Sequence, residues 1–439
     1  MKWSRFVHAF PLLGILWHAI KLEKMRIDPG VISAFLREGQ VNENSLGVAT
    51  YAQLTSRGYI VEESENPEEC LRNVAIRGVK GLQSMYLILT TLCNLRCSYC
   101  LYGSTQSGSL APHKGRIMSD DVAREAISLF GRETVVNDRS QPDYWECITF
   151  YGGEPFINFP VLQKSVDYVR RLQRAGEIWH NVQFVVNTNG TLLTQETVRL
   201  IQEETIEVQV SIDGPEQIHN QVRMLHSGQG SFKSTIAGLK MMHSLGVDFV
   251  PLITVTEANM DCLAEFVGWL CEKFSIRQYG LNLLMHTNGL VDQTYGRRAA
   301  DAIRKAHIAS NAFGATDKSY GTAMDAFSTR VVAQKSCGAG KKIVVFPQGE
   351  LHVCQALEGS GSTAMGELPR FNHQSPNLLQ WQQRNRFSNQ TCLDCPAIGG
   401  CQGGCGASGY NATGDVCGID PNYCNWMKAE FHHWIKNET

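Results

Sequence analysis

An α/β fold is the class this sequence predicts: a partial (β/α)6 TIM-like barrel, with a small accessory domain before it and a cysteine-rich domain after it. Three observations lead there. Strand-like and helix-like segments alternate in series across residues 81–315. Residues 1–80 do not share that rhythm, and from about residue 330 to 439 the chain turns rich in Gly and Cys.

The first 80 residues mix short apolar runs with a helical pattern over 28–38 and an acidic stretch over 62–69, read as a solvated face. The first twenty residues place basic side chains ahead of an apolar run. His8 and Pro11 break that run, no small-residue cleavage site follows, and it is too short to span a bilayer. It is therefore read as strand-forming. In the middle of the chain the strand candidates are 85–92, 147–151, 182–187, 206–212, 249–255 and 281–285. The helical patterns are 120–131, 161–174, 195–204, 231–244, 260–274 and 298–310, with Ser119 and Thr194 placed to cap two of them. Six β/α units in series predict a parallel sheet with helices outside. Six units rather than eight leave the barrel open on one side, wide enough for a large substrate such as a peptide. In the last segment, short strands at 343–346 and 351–353 lie among cysteines, as in a domain organised around metal rather than an apolar core.

The chain has 439 residues, 43% hydrophobic, and a net charge of −2. That balance carries no electrostatic footprint for a polyanion, so neither nucleic acid nor a membrane is an expected partner. Fifteen cysteines are many for this length. Eleven of them fall between 93 and 100 or between 337 and 424, unlike the dispersed pattern of a secreted disulfide scaffold. Metal ligation in a reducing cytoplasm is expected. Cys70, Cys147, Cys262 and Cys271 stand apart and are read as small buried hydrophobes.

Cys93, Cys97 and Cys100 form C-x3-C-x2-C immediately after the first strand candidate. Three thiolates can hold three irons of a 4Fe–4S cube and leave the fourth without a protein ligand, and a strand's C-terminal end is where parallel α/β proteins place active sites. The second strand runs into FYGGEP. Gly152 and Gly153 permit close backbone approach, and Glu154 offers a carboxylate suited to a cationic amine. Later strand ends add NTNG at 187–190, SIDGP at 211–215 followed by His219 and Arg223, and TVTEAN at 254–259. Taken singly, these are also ordinary turn chemistry. In the last segment Cys337, Gly349 and Cys354 make C-x11-G-x4-C. Cys392, Cys395, Cys401 and Cys405 make C-x2-C-x5-C-x3-C, followed by Cys417 and Cys424. Such spacings serve iron–sulfur clusters or structural zinc alike. His113, His286, His352, His432 and His433 follow no motif.

Taken together, Tyr99 within CNLRCSYC, the GGEP turn and the later strand ends resemble the radical S-adenosylmethionine (radical SAM) superfamily. The cysteines after 337 resemble the SPASM domain found behind many of its members. The resemblance covers nearly all of residues 81–439 and implies three cofactors: a 4Fe–4S cluster with an open iron on Cys93, Cys97 and Cys100, two auxiliary 4Fe–4S clusters, and S-adenosyl-L-methionine. By motif position, Gly152, Gly153 and Glu154 would meet the cofactor's ammonium, and Ser211 and Arg223 its carboxylate. Asn189 would meet its ribose region, and Thr254 to Thr256 the adenine. Cys392, Cys395, Cys401 and Cys424 would hold one auxiliary cluster and Cys337, Cys354 and Cys405 the other. Cys417 either completes the second or leaves its iron open.

The resemblance also implies a reaction. An external donor such as flavodoxin or ferredoxin supplies an electron, the cofactor is cleaved to a 5′-deoxyadenosyl radical, and that radical abstracts hydrogen from the substrate. SPASM relatives mostly modify peptides, by crosslinks in ribosomal precursor peptides or by formylglycine formation in sulfatases. The N-terminal domain would suit leader-peptide recognition by strand addition to a sheet edge. Sulfatase maturases carry an aspartate base directly after the G-x4-C cysteine. Gln355 stands there in this chain, which favours a crosslinking peptide maturase. Asp213 and Tyr102 are other acid–base candidates, and no catalytic residue is assigned. Two readings from other classes are an iron–sulfur electron-transfer protein that leaves the cofactor intact and a zinc-stabilised interaction module.

Overall fold

The computed structural model describes residues 1–37, 41–66, 76–77, 82–100, 115–134, 137, 140, 144–285, 292, 294–333, 337–357 and 361–437. Cys70, Tyr102, His113 and His286 lie outside the described residues.

All six expected strands form: β1 Ser84–Thr90, β2 Glu146–Gly152, β3 Val182–Thr188, β4 Glu207–Ser211, β5 Val250–Val255 and β6 Gln278–Leu283. They lie side by side in chain order, every neighbouring pair parallel. The last starts three residues before the apolar run that announced it, because Gln278 pairs with Thr316 of a short further strand, β7 Thr316–Asp317. On the opposite edge β8 Lys342–Val345 lies parallel to β1, and the antiparallel strands β9 Glu350–His352 and β10 Ala364–Glu367 complete a ten-stranded sheet. The expected strand at 343–346 thus joins the barrel sheet itself, with Lys342 opposite Ser84 and Val345 opposite Leu87.

Among the described residues the six expected helices form: α1 Asp120–Thr134, α2 Phe159–Ala175, α3 Gln195–Glu203, α4 Phe232–Ser244, α5 Leu263–Phe274 and α6 Tyr295–Asn311. Each buries one stripe; in α2 it is Val161, Leu162, Ser165, Val166, Val169 and Leu172. Thr194 caps α3 in a reciprocal box with Thr197, and Ser119 Oγ accepts from Val122 N at 3.3 Å at the start of α1. Among the described residues no helix is long and apolar enough to cross a membrane.

The N-terminal segment is strand-forming, as its alternation suggests. Val7–Phe10, Ile15–His18 and Glu23–Arg26 make a three-stranded antiparallel sheet, followed by a helix over Pro29–Leu36 that Asp28 caps. Successive side chains of its central strand point to opposite faces. Leu16 packs with Val7, Met25 and Leu54 in a small core, whereas Ile15 and Trp17 join the main core. Trp17 packs against Phe327, Phe431 and Trp434, and its indole N–H donates to Pro396 O at 2.7 Å. The three-stranded sheet is thereby seated on the cysteine-rich region.

Candidate active site at the strand ends

After β1 the chain crosses directly over the tip of β2. Gly153 N donates to Thr90 O and Glu154 N to Leu92 O, both at 2.9 Å. A Cβ on Gly152 would lie 2.2 Å from Thr90 O, and one on Gly153 2.1 Å from Leu92 O. The two glycines let the cysteine loop pass, which is the physical content of the GGEP turn. Beyond the crossing, Leu95–Cys97 pairs antiparallel with Arg223–Leu225, with Cys97 opposite Arg223. Cys93 Sγ accepts from Leu95 N at 3.4 Å and Asn189 Nδ2 at 3.8 Å, and Cys97 Sγ accepts from Arg223 Nη1 at 3.9 Å. Burial pushes the Cys93 thiol up to about 12 and the Cys97 thiol up to about 11, against the pull of Arg223 on the latter. Bare thiols are held protonated here, while N–H donors already aim at sulfur to support the thiolates a metal would demand. Three thiols in one loop, two of them with such donors, fit a 4Fe–4S cluster bound through three irons.

Glu154 is fully buried, and its carboxylate is engaged by the protein itself. Oε1 accepts from Thr188 Oγ1 at 2.8 Å and Phe156 N at 3.2 Å, and Oε2 accepts from Asn189 N at 2.8 Å. Burial raises its pKa to about 7 against those three donors. The acid thus ties the tip of β2 to the turn after β3, and Gly152 and Gly153, rather than the carboxylate, line the adjoining cavity.

Asp213, weighed as a base in the sequence, is also fully buried. Its carboxylate accepts from the Tyr99 hydroxyl, from Arg223 Nε at 2.6 Å and from Thr254 N at 2.9 Å. Arg223 lies over the Tyr99 ring, 5.4 Å from its centroid. His219 accepts from Asp213 N at 3.3 Å through Nδ1, its other ring nitrogen lies 3.0 Å from Ser231 Oγ, and Ser231 donates to Arg223 O at 2.6 Å. Each side chain of this knot has a partner within it. It fixes the guanidinium against Cys97. The SIDGP turn and the His219 and Arg223 that follow announced its members, but nothing in the sequence announced their closure into one network.

A cavity of about 640 Å3 opens above the strand ends. Cys93, Cys97, Tyr99 and Cys100 line it together with Gly152, Gly153, Asn189, Ser211, Arg223 and Thr254, so apart from Glu154, Val255 and Thr256 the expected cofactor-contacting residues converge there. Such a volume suits a small organic ligand. The same cavity is lined by Cys337, Cys354 and Cys405, with Leu281, Leu283 and Trp426 among its apolar surfaces. Gln355 and Tyr151 also line it, as does Lys342, to which no motif pointed.

Cys337 Sγ accepts from Ala339 N and Cys354 Sγ from Ala356 N, each at 3.4 Å. Burial raises the Cys337 thiol, but Lys342 and backbone N–H groups outweigh it, and the net shift is downward. Cys417 stands in a turn, its N–H donating to Asp415 Oδ1 at 3.0 Å, and is not among the cavity residues. Cys392, Cys395, Cys401 and Cys424 form a separate group. Burial, then the charges of Cys401, Cys392 and Cys395, pushes Cys424 up to about 12. Two buried arginines hold these loops by their carbonyls. Arg384 donates to Val416 O and Gly403 O at 2.9 Å, and Arg386 donates to Gly399 O at 3.0 Å and to Ile398 O. No disulfide joins the described cysteines. Among the described residues no three His, Cys, Asp or Glu are gathered closely enough to hold a metal ion as they stand.

Fold and site together define an α/β-barrel protein with a three-thiol loop beside a ligand-sized cavity. Residues 87–270 match the family model of the Radical SAM superfamily. Among curated relatives it is 20% identical over 401 residues to the radical SAM cyclopropyl synthase TigE of Paramaledivibacter caminithermalis, covering 87% of this chain and 81% of that protein. It is 27% identical over 194 residues to a serine-type anaerobic sulfatase-maturating enzyme of Bacteroides thetaiotaomicron, covering 44% of each. The chain thus spans from under half to about four fifths of the length of such relatives. The structure of native anSMEcpe with bound AdoMet superposes with a TM-score of 0.66 at 18% identity, covering 80% of this chain and 97% of that one. Streptococcus suis SuiB superposes at 0.55 with 14% identity, covering 96% and 99%. At these identities the structural likeness shows the fold.

Proposed function

We propose that this chain is a radical SAM peptide maturase that abstracts hydrogen from a peptide and forms a crosslink or related modification. The observation that carries the reading is one cavity lined by two thiol sets, Cys93, Cys97 and Cys100 at the strand ends and Cys337, Cys354 and Cys405 from the cysteine-rich region. When bound there, a reduced 4Fe–4S cluster with S-adenosylmethionine supplies a 5′-deoxyadenosyl radical. The chain's residues do the rest. The Gly152–Gly153 backbone and Ser211 meet the amino-acid end of the cofactor, with Arg223 held for its carboxylate by Asp213. Asn189 and Thr254 meet the nucleoside, and the apolar surfaces exclude water from the radical. Cys392, Cys395, Cys401 and Cys424 hold one auxiliary cluster. Cys337, Cys354 and Cys405 hold the other, with its fourth position open or taken by Cys417. A donor such as flavodoxin or ferredoxin supplies the electron, in a reducing cytoplasm.

A peptide substrate is supported by the printed subjects of the neighbouring structures: SuiB bound to precursor peptide SuiA, and anSMEcpe with the Cp18Cys peptide. Among the described residues Val7–Phe10 is an outer strand of the N-terminal sheet, an edge along which a leader segment could add. The domain division follows the same logic: 1–80 for recognition, 81–315 for radical generation and 330–439 for auxiliary clusters. Gln355 argues against formylglycine formation, because its Oε1 accepts from Lys342 Nζ at 2.6 Å and an amide takes up no substrate proton. The test is incubation of the loaded, reduced chain with candidate precursor peptides, read by mass spectrometry. Loss of two hydrogens with a new crosslink supports the reading. Conversion of a sulfatase-derived Ser or Cys peptide to the aldehyde would replace it with the sulfatase reading.

A further inference from the structure

We propose that Lys342 is the counter-ion of the iron–sulfur site formed by Cys337, Cys354 and Cys405, and that its charge sets that site's reduction potential. The proposal rests on the maturase reading, which puts a cluster there. Lys342 opens β8, beside Ser84 of β1, and is only 8% exposed. Its ammonium donates to Gln355 Oε1 at 2.6 Å and lies 4.5 Å from the centroid of the Tyr86 ring. Neither partner carries a formal negative charge at neutral pH. A buried cation needs compensation. Lys342 lines the same cavity as Cys337, Cys354 and Cys405, and its acceptor Gln355 directly follows Cys354 in the chain, so the thiolates of an occupied cluster site are the negative charges within that cavity.

Reducing a cluster adds a negative charge to a site that is already anionic. A fixed ammonium at its edge therefore favours the reduced form and raises the potential. That direction suits a site that takes an electron from a substrate radical.

The test is an EPR-monitored redox titration of the anaerobically loaded full chain. Cys93, Cys97 and Cys100 are replaced by Ala so that only the auxiliary signals remain. Lys342→Met should lower the reduced fraction of one auxiliary cluster about tenfold at fixed potential, a midpoint shift of about 59 mV to more negative values. The cluster on Cys392, Cys395, Cys401 and Cys424 should stay in place, and Lys342→Arg should restore the midpoint. If Lys342→Met does not load, Gln355→Glu carries the same prediction, because its carboxylate neutralises an intact lysine. An unchanged midpoint in the loaded variant, or equal shifts of both clusters, overturns the proposal while leaving the maturase reading standing. Absence of iron from the parent protein defeats that reading and the proposal with it.

Discussion

Asp213 supports Arg223 and Tyr99 at once, so its carboxylate is worth more than a single ion pair. Asp213→Asn leaves a buried guanidinium uncompensated and should cost about 3–5 kcal/mol of stability, read by denaturant unfolding under anaerobic conditions. Glu154 behaves differently. Its pKa in the folded chain is raised from 4.5 to about 7, so the stability it contributes is full below the ordinary value and is lost as pH rises through about 7. Glu154→Gln should therefore melt with less change than the parent between about pH 5 and about pH 8. A steeper dependence in the variant would show that the acid is not the group being titrated. Gly153→Ala drives a methyl into Leu92 O, 2.1 Å away. It should cost about 1–3 kcal/mol as overpacking and reduce iron retained by the neighbouring loop, measured as iron per chain beside a thermal melt.

The barrel strands and helices were readable because each obeys one period. Apolar runs between turn residues gave the strands, and Thr194 and Ser119 marked helix starts through groups that do cap. The short strand Thr316–Asp317 was not readable, since two polar residues paired to β6 carry no hydrophobic pattern. Nor was the partnership of β8 with β1, which joins residues more than 250 positions apart in a parallel ladder. In the cysteine-rich region, Arg384 and Arg386 tie loops beside an apolar cluster that includes Leu378, Trp381, Ile398 and Val416, and their role is invisible until their carbonyl partners are known. Trp17 is fully buried at the junction between the N-terminal sheet and that region. Trp17→Ala should cost about 3–5 kcal/mol and raise proteolytic sensitivity of the first 80 residues before that of the barrel. Equal sensitivity of both would contradict the seating described above.

Across the whole molecule, the cysteine motifs located both thiol sets, but their meeting around one cavity depends on β8 joining the barrel sheet. Spacing fixes ligands within a loop and says nothing about how distant loops face each other. The same limit explains Glu154: the motif marked the residue, while the direction of its carboxylate was decided by Thr188 and the Asn189 backbone. The central claim is that Cys93, Cys97 and Cys100 support radical generation. The measurement is anaerobic reconstitution followed by iron and sulfide counting and reductive turnover of S-adenosylmethionine, with the Cys93→Ala, Cys97→Ala, Cys100→Ala triple variant alongside. The account predicts 5′-deoxyadenosine from the parent, and loss in the variant of that product together with about four irons. Iron-loaded protein that leaves the cofactor intact with every reductant, or protein that carries zinc in place of iron, would contradict it.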